Sequence, residues 1–213
     1  MKMLNMRKKQ AKGMLITFCG LDGCGKTTMM RRLIQDLEKK APLLVTKQPT
    51  NFVRNSEIFR TYMDSPDHRA YDYRSLSLLA ASDRIQHGSH VIEPAMEEGK
   101  VVLSDRYFYS CLANLRARGY IEDAWIYEIA QSLVQPDIAF FFDVPVEVAV
   151  ARVRSRPEER DRYIYMDLQY RLRHEYLEIC RTNGGVLIST ALPEEDCYKQ
   201  VKQAVERSKG ICM

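Results

Sequence analysis

The sequence predicts an α/β fold in which a parallel sheet is covered by helices on both faces. Three observations carry this. Short apolar runs recur at residues 14–18, 43–46, 101–103, 138–142 and 186–188, with helical stretches between them. Strands that are apolar throughout are buried on both sides, and parallel neighbours need crossover helices. A glycine-rich turn separates the first apolar run from the first helical stretch, the order strand, turn, helix. Finally, 213 residues with 46% hydrophobic composition can bury a sizeable core within one domain.

Taken in order, the first run leads into Gly20-Leu21-Asp22-Gly23-Cys24-Gly25-Lys26-Thr27-Thr28. Gly20, Gly25, Lys26 and Thr27 satisfy G-x-x-x-x-G-K-[ST], and the flanking strand and helix are the context that pattern requires, which an ordinary glycine-rich turn lacks. The element is the P-loop of a P-loop NTPase fold. Its backbone N–H groups turn inward around phosphate oxygens, and the helix that follows points its positive end at the same anion. Lys26 is expected to reach the β- and γ-phosphates of ATP, and Thr27 to place its hydroxyl on Mg²⁺.

Ligands of such sheets bind beyond the carboxyl ends of the strands. The second run ends in Lys47-Gln48-Pro49 and the third in Asp105-Arg106. The fourth continues into Asp143-Val144-Pro145, with Pro145 expected as the first residue of a helix, and the fifth leads to Pro193 and three acids suited to a helix N-terminus. A long helical stretch from Tyr73 to about Gly99 crosses Gly88 and Pro94, and a kink or break is expected near Pro94. At the third strand end Asp105 can hold Mg²⁺ or its waters, and Arg106 can bridge donor and acceptor phosphates. Elsewhere such a pair is a surface ion pair; facing a P-loop it is chemistry. Asp22 is free to bond an acceptor sugar hydroxyl or to assist the metal.

Formal net charge is +4, but residues 1–12 hold Lys2, Arg7, Lys8, Lys9 and Lys12 and no acid. That segment is read as a basic N-terminal tail and 13–213 as a single P-loop domain. The remainder is close to neutral, so no nucleic-acid partner is expected. The basic start lacks a signal-peptide pattern, and no uncharged apolar run approaches a membrane span, so the expected location is cytoplasmic with no membrane partner. Six scattered cysteines fit reduced thiols rather than a disulfide framework.

From about Gly13 onward the chain resembles the thymidylate (dTMP) kinase family of P-loop nucleoside monophosphate kinases. The matching motifs are the P-loop, Leu78-Leu79-Ala80-Ala81-Ser82-Asp83-Arg84, Ser104-Asp105-Arg106-Tyr107, Pro136-Asp137 leading to Asp143-Val144-Pro145, and Asp161-Arg162-Tyr163 before Tyr176-Leu177. The resemblance implies a five-stranded parallel sheet, ATP with Mg²⁺ as donor pair, a deoxynucleoside monophosphate acceptor and a homodimer. By position it sets Asp22 against the acceptor sugar, Asp105 at the metal, Arg106 at the phosphates, Arg84 at the acceptor base and Ser110 where the family has a base-contacting hydroxyl.

The departures gather at the acceptor side. Cys19 stands where the family usually has Glu. Lys47-Gln48-Pro49 replaces Arg-Glu-Pro, and Asn51 replaces a phosphate-gripping Arg, with Arg54 nearby. Ala80 occupies the place of a ring that stacks on thymine, a contact worth on the order of 1 kcal/mol beyond its burial. Asn114 replaces an aromatic residue that crowds out a ribose 2′-hydroxyl. Base selection is therefore expected to be weaker than in the family at large.

Residues 152–162 hold five arginines in eleven positions, broken by Pro157. In the place of the family's lid, this reads as a basic segment that closes over a polyphosphate rather than a solvated loop of local ion pairs. With no basic residue in the P-loop at Gly23 or Cys24, the transition-state cation is expected from the lid, from Arg156 or Arg160. Cys19 and Cys24 are read as small residues filling tight space, His87 and His90 as surface histidines, and Trp125 as packing on the sheet or on a partner. The expected activity is phosphorylation of dTMP to dTDP. A kinase of another nucleoside monophosphate and a non-catalytic nucleotide-binding regulator are the alternatives, and the transition-state cations argue against the regulator.

Overall fold

The computed structural model describes residues 1–8, 10–64 and 70–209. Five strands, β1 (Met14–Gly20), β2 (Leu43–Lys47), β3 (Val101–Asp105), β4 (Ile138–Asp143) and β5 (Val186–Ser189), form one open parallel sheet in the order β2-β3-β1-β4-β5. All seven residues of β1 are buried, as its central place demands, whereas edge strands β2 and β5 are partly exposed. Each strand runs beyond its apolar stretch. The ladder pairs Lys47 with Asp105 and Asp143 with Ser189, so the polar residues at the strand ends still belong to the sheet.

Helix α1 (Lys26–Leu37) buries Met29, Met30, Leu33 and Leu37, the stripe expected of an amphipathic crossover. Next come α2 (Asn51–Arg54), α3 (Glu57–Asp64) and α4 (Tyr73–His87). A π-helical turn, Gly88–Ile92, links α4 to α5 (Glu93–Glu97), so the helix is interrupted just before Pro94, near where a kink or break was expected. Pro94 sits in the first turn of α5; its ring excludes the regular bond to the turn behind, and the wider turn absorbs the mismatch. Helices α6 (Phe108–Ala117), α7 (Trp125–Ala130), α8 (Val146–Arg154), α9 (Met166–Thr182) and α10 (Glu194–Lys209) complete the layers. Pro145 caps α8 from outside instead of opening it.

Phenylalanines fill the centre: Phe18 stacks on Phe142 with centroids 5.9 Å apart. Of the basic segment 1–12, Leu4 and Met6 are buried, Arg7 bridges in parallel to Val134, and its guanidinium pairs with Glu93 at 2.7 Å. Trp125 is partly buried against the core. The cysteines among the described residues are free and buried.

Candidate active site

The P-loop lies between β1 and α1. Gly25 takes φ 88° at the helix start, and no side chain caps the first turn of α1, whose N–H groups face the loop. Gly23, at φ 81°, passes so close to α8 that a Cβ there would sit 2.1 Å from the Ala149 carbonyl oxygen. Lys26 is buried and its Nζ donates to the Gly20 and Leu21 carbonyls at 3.1 and 2.6 Å. Thr27 and Thr28 are exposed on the same rim. Burial pushes the Cys19 thiol up to about 12, against the pull of Arg106 and Lys26, which makes it a packing residue rather than a nucleophile.

The P-loop forms one wall of a cleft of about 720 Å³ that also takes in Asp105, Arg106, Arg54, Arg84 and Ser110. Arg106 has φ 71°, a left-handed conformation uncommon outside glycine, held by its N–H on the Phe18 carbonyl at 2.9 Å. From there its guanidinium reaches Gly20 O at 3.2 Å and Tyr176 Oη at 3.1 Å, and pairs closely with Asp22. The second Asp22 oxygen pairs with Arg162 at 3.2 Å. Desolvation alone would raise the Asp22 carboxyl's pKa; Arg106, Lys26 and Arg162 outweigh it and hold it well below the usual carboxylate range. Asp105 pairs through Oδ2 with Lys47 at 3.1 Å, while its Oδ1 is buried without a hydrogen-bond partner.

Opposite the P-loop, the positive charge is poorly compensated. Arg54 Nε donates to Pro49 O at 2.7 Å, and desolvation followed by the neighbouring Arg106 lowers its pKa. Arg84 is buried, donates to Ala80 O at 2.8 Å and leaves Nε without a partner. Arg54 and Arg84, with Arg106 beside the P-loop, make a site for an anion. Ser110 accepts a hydrogen bond from Tyr176 at 3.1 Å, and Ala80 and Asn114 line the cleft together with Tyr62 and Tyr73.

The structure does not bring every expected residue to the cleft. Arg160 is exposed and does not line it; Arg156 does, and lies 3.5 Å from Glu159. A short turn, Pro157–Glu159, instead directs Arg162 inward, where Glu159 holds it at 2.7 Å beside Asp22. Arg162 stood in the arginine run and in the matching Asp161-Arg162-Tyr163 motif, yet was not named as the lid cation; the path of the turn distinguishes it from Arg160. His87 is a correction to the surface reading. It is half-buried over the end of β2, its ring nitrogens 2.9 Å from Thr46 Oγ1 and 3.0 Å from Gln48 Nε2. One turn earlier Asp83 accepts the Thr50 backbone N–H at 2.8 Å and its hydroxyl. This face of α4 clamps the segment that carries Lys47 and leads to Arg54.

The thymidylate kinase family profile matches residues 18–201. The chain is 34% identical over 199 residues to a probable thymidylate kinase of Pyrococcus horikoshii, covering 92% of this chain and 97% of that one. It is 33% identical to a probable thymidylate kinase of Thermococcus kodakarensis, with 92% and 99% covered. A thymidylate kinase of Onion yellows phytoplasma is 31% identical, with 91% and 97% covered. A P-loop facing an arginine-rich anion site across one cleft, a five-stranded parallel sheet in which that loop follows the central strand, and likeness along nearly the whole length agree. The chain belongs to the thymidylate kinase family.

Proposed function

We propose that the protein transfers the γ-phosphoryl group of ATP to thymidine monophosphate, giving ADP and thymidine diphosphate. The observation that carries this is one cleft lined by the P-loop with Lys26, by Arg106 bonded to that loop, and by Arg54 and Arg84. A triphosphate on one side and a monophosphate on the other bring the reacting oxygens together, and most of the catalysis is alignment and charge neutralisation. Gly20 to Thr28 cradle the donor. Lys26 exchanges its carbonyl contacts for the β- and γ-oxygens. Arg106, fixed by Gly20, Tyr176 and Asp22, bridges the two phosphates, and Arg54 grips the acceptor phosphate. Asp22 orients both Arg106 and Arg162 and faces the acceptor sugar. Arg162, with Arg156, supplies lid cations for the group in flight.

The residues fit Mg²⁺. Asp105 offers a buried, unpartnered carboxylate oxygen, and Thr27 a hydroxyl on the phosphate side. A hard cation takes such oxygen ligands together with substrate phosphates. Held there by Asp105 and Thr27, the ion would offset negative charge that grows on the leaving group. The same reading makes the enzyme a cytoplasmic homodimer. No helix among the described residues is long and apolar enough to cross a membrane.

A coupled ADP-release assay with dTMP, dUMP, UMP, dCMP, dAMP and dGMP tests the reading. Release that depends on dTMP supports it. Release with another monophosphate alone replaces the acceptor, and tight ATP binding without release from any monophosphate removes the kinase.

A further inference from the structure

We propose that Arg118, held by Asn114 and stacked on Tyr73, determines acceptor specificity by selecting bases whose edge offers carbonyl oxygens over bases that carry an exocyclic amino group there. This deepens the reading just given and rests on it.

The observation is a chain of contacts at the acceptor end of the cleft. The Asn114 amide, which a loose gate would leave free for a ribose hydroxyl, is engaged at both its nitrogen and its oxygen. Its Nδ2 donates to the Ser110 carbonyl at 2.9 Å, which fixes the amide's orientation. Its Oδ1 accepts from Arg118 Nη1 at 2.9 Å, and its backbone carbonyl accepts from the same nitrogen at 3.1 Å. The guanidinium carbon then lies 3.8 Å from the Tyr73 ring centroid, and Tyr73 meets Tyr62 edge-on at 5.0 Å. A planar cation fixed at one nitrogen and backed by an aromatic face is a rigid wall.

Among the described residues no carboxylate pairs with Arg118, and its hydrogen bonds, both from Nη1 to Asn114, leave Nε and Nη2 open. Arg84, also on the cleft wall, leaves its buried Nε open too. Both side chains are donors only. A base lodged between them meets N–H groups seeking acceptors. Carbonyl oxygens satisfy them; an amino group in the same place leaves donors unpaired in a desolvated site, and that is the contact by which enzymes discriminate most strongly. Volume opened by Ala80 and Asn114 is thus partly claimed by Tyr73 and Arg118, and selectivity is moved from a stacking ring to a hydrogen-bonding cation.

The test is kcat and KM for dTMP, dUMP and dCMP, with KM for ATP, in the wild type and in Arg118→Met, Arg118→Lys and Asn114→Ala. Arg118→Met should lower the dTMP to dCMP ratio of kcat/KM by roughly 10- to 100-fold. The loss should fall on the KM for dTMP, with kcat and the KM for ATP nearly unmoved. Arg118→Lys keeps the charge without the planar fork and should recover little. Asn114 is a positioning residue, so its truncation should give an intermediate ratio by the same KM route. Thermal midpoints identify any unfolded variant; if Arg118→Met is one, Arg118→Lys and Asn114→Ala decide the matter in the same assay. An unchanged dTMP to dCMP ratio in folded variants overturns the inference and leaves the proposed function standing. A wild type without turnover on any monophosphate overturns both.

Discussion

On the proposed reading, Lys26 and Asp105 act on different parts of one charge: the lysine ammonium would follow negative charge onto the bridging and γ-oxygens, whereas the Asp105 carboxylate would serve the metal. Lys26→Ala should therefore lose rate more than nucleotide affinity, because the backbone cradle survives. Asp105→Asn should regain part of its activity as Mg²⁺ is raised, and Lys26→Ala should regain little. Equal recovery in a Mg²⁺ titration of both variants would contradict these roles. His87 makes a separate prediction. Desolvation lowers its pKa, with Asp83 pulling the other way and Arg84 adding to the lowering. A histidine kept neutral in the fold binds its proton more readily when unfolded, so its contribution is present above the unfolded value of about 6.5 and is lost as pH falls through the lower folded value. Urea midpoints should decline less between pH 7 and 5 in His87→Gln than in the wild type, and parallel declines would place the acid sensitivity elsewhere.

At the level of elements, the motifs carried by one strand end or one turn were legible and those assembled across elements were not. Gly20 to Thr28 form a local loop, so their spacing specifies their geometry. Asp105 and Arg106 were found because a strand end in a parallel sheet points to the ligand crevice. Tyr62, Tyr73 and Arg118 reach the cleft from three different segments, and no spacing in the chain relates them. His87 read as a surface residue because its own helix leaves it outward; β2 covers it. The lid shows the same limit on a smaller scale, since a three-residue turn decides which arginine of a run faces inward. Arg162→Ala is expected to lower kcat by about 10²- to 10³-fold, the loss typical of one transition-state donor, with a smaller change in the KM for ATP. Arg160→Ala should stay within about threefold of the wild type, because an exposed charge away from the cleft offers little. The reverse order would return the catalytic role to Arg160.

For the whole molecule, the five apolar runs all enter one sheet: those of β3, β1 and β4 are buried at its centre, while edge strands β2 and β5 leave Val45 and Leu187 exposed. The open sheet then places the P-loop beyond its central strand and Arg106 beyond neighbouring β3, while Arg54 and Arg84 come from helices α2 and α4. Acceptor choice is where the chain departs furthest from the resemblance. Ala80 leaves room that Tyr62 and Tyr73 share in lining. Contact with a single methyl group is worth ~1–3 kcal/mol, so the wild type should separate dTMP from dUMP by at most about 200-fold in kcat/KM, and Ala80→Phe should widen the gap. A wild type that already rejects dUMP by several orders of magnitude would show that another group reads the methyl.

The central claim is that the two ends of the cleft hold a phosphoryl donor and a monophosphate acceptor for direct transfer between them. The most direct measurement follows γ-labelled ATP with dTMP and Mg²⁺ and resolves the products. The account predicts label in thymidine diphosphate, equal to the ADP formed and absent when dTMP is left out. Label released as inorganic phosphate at the same rate with and without dTMP would contradict it.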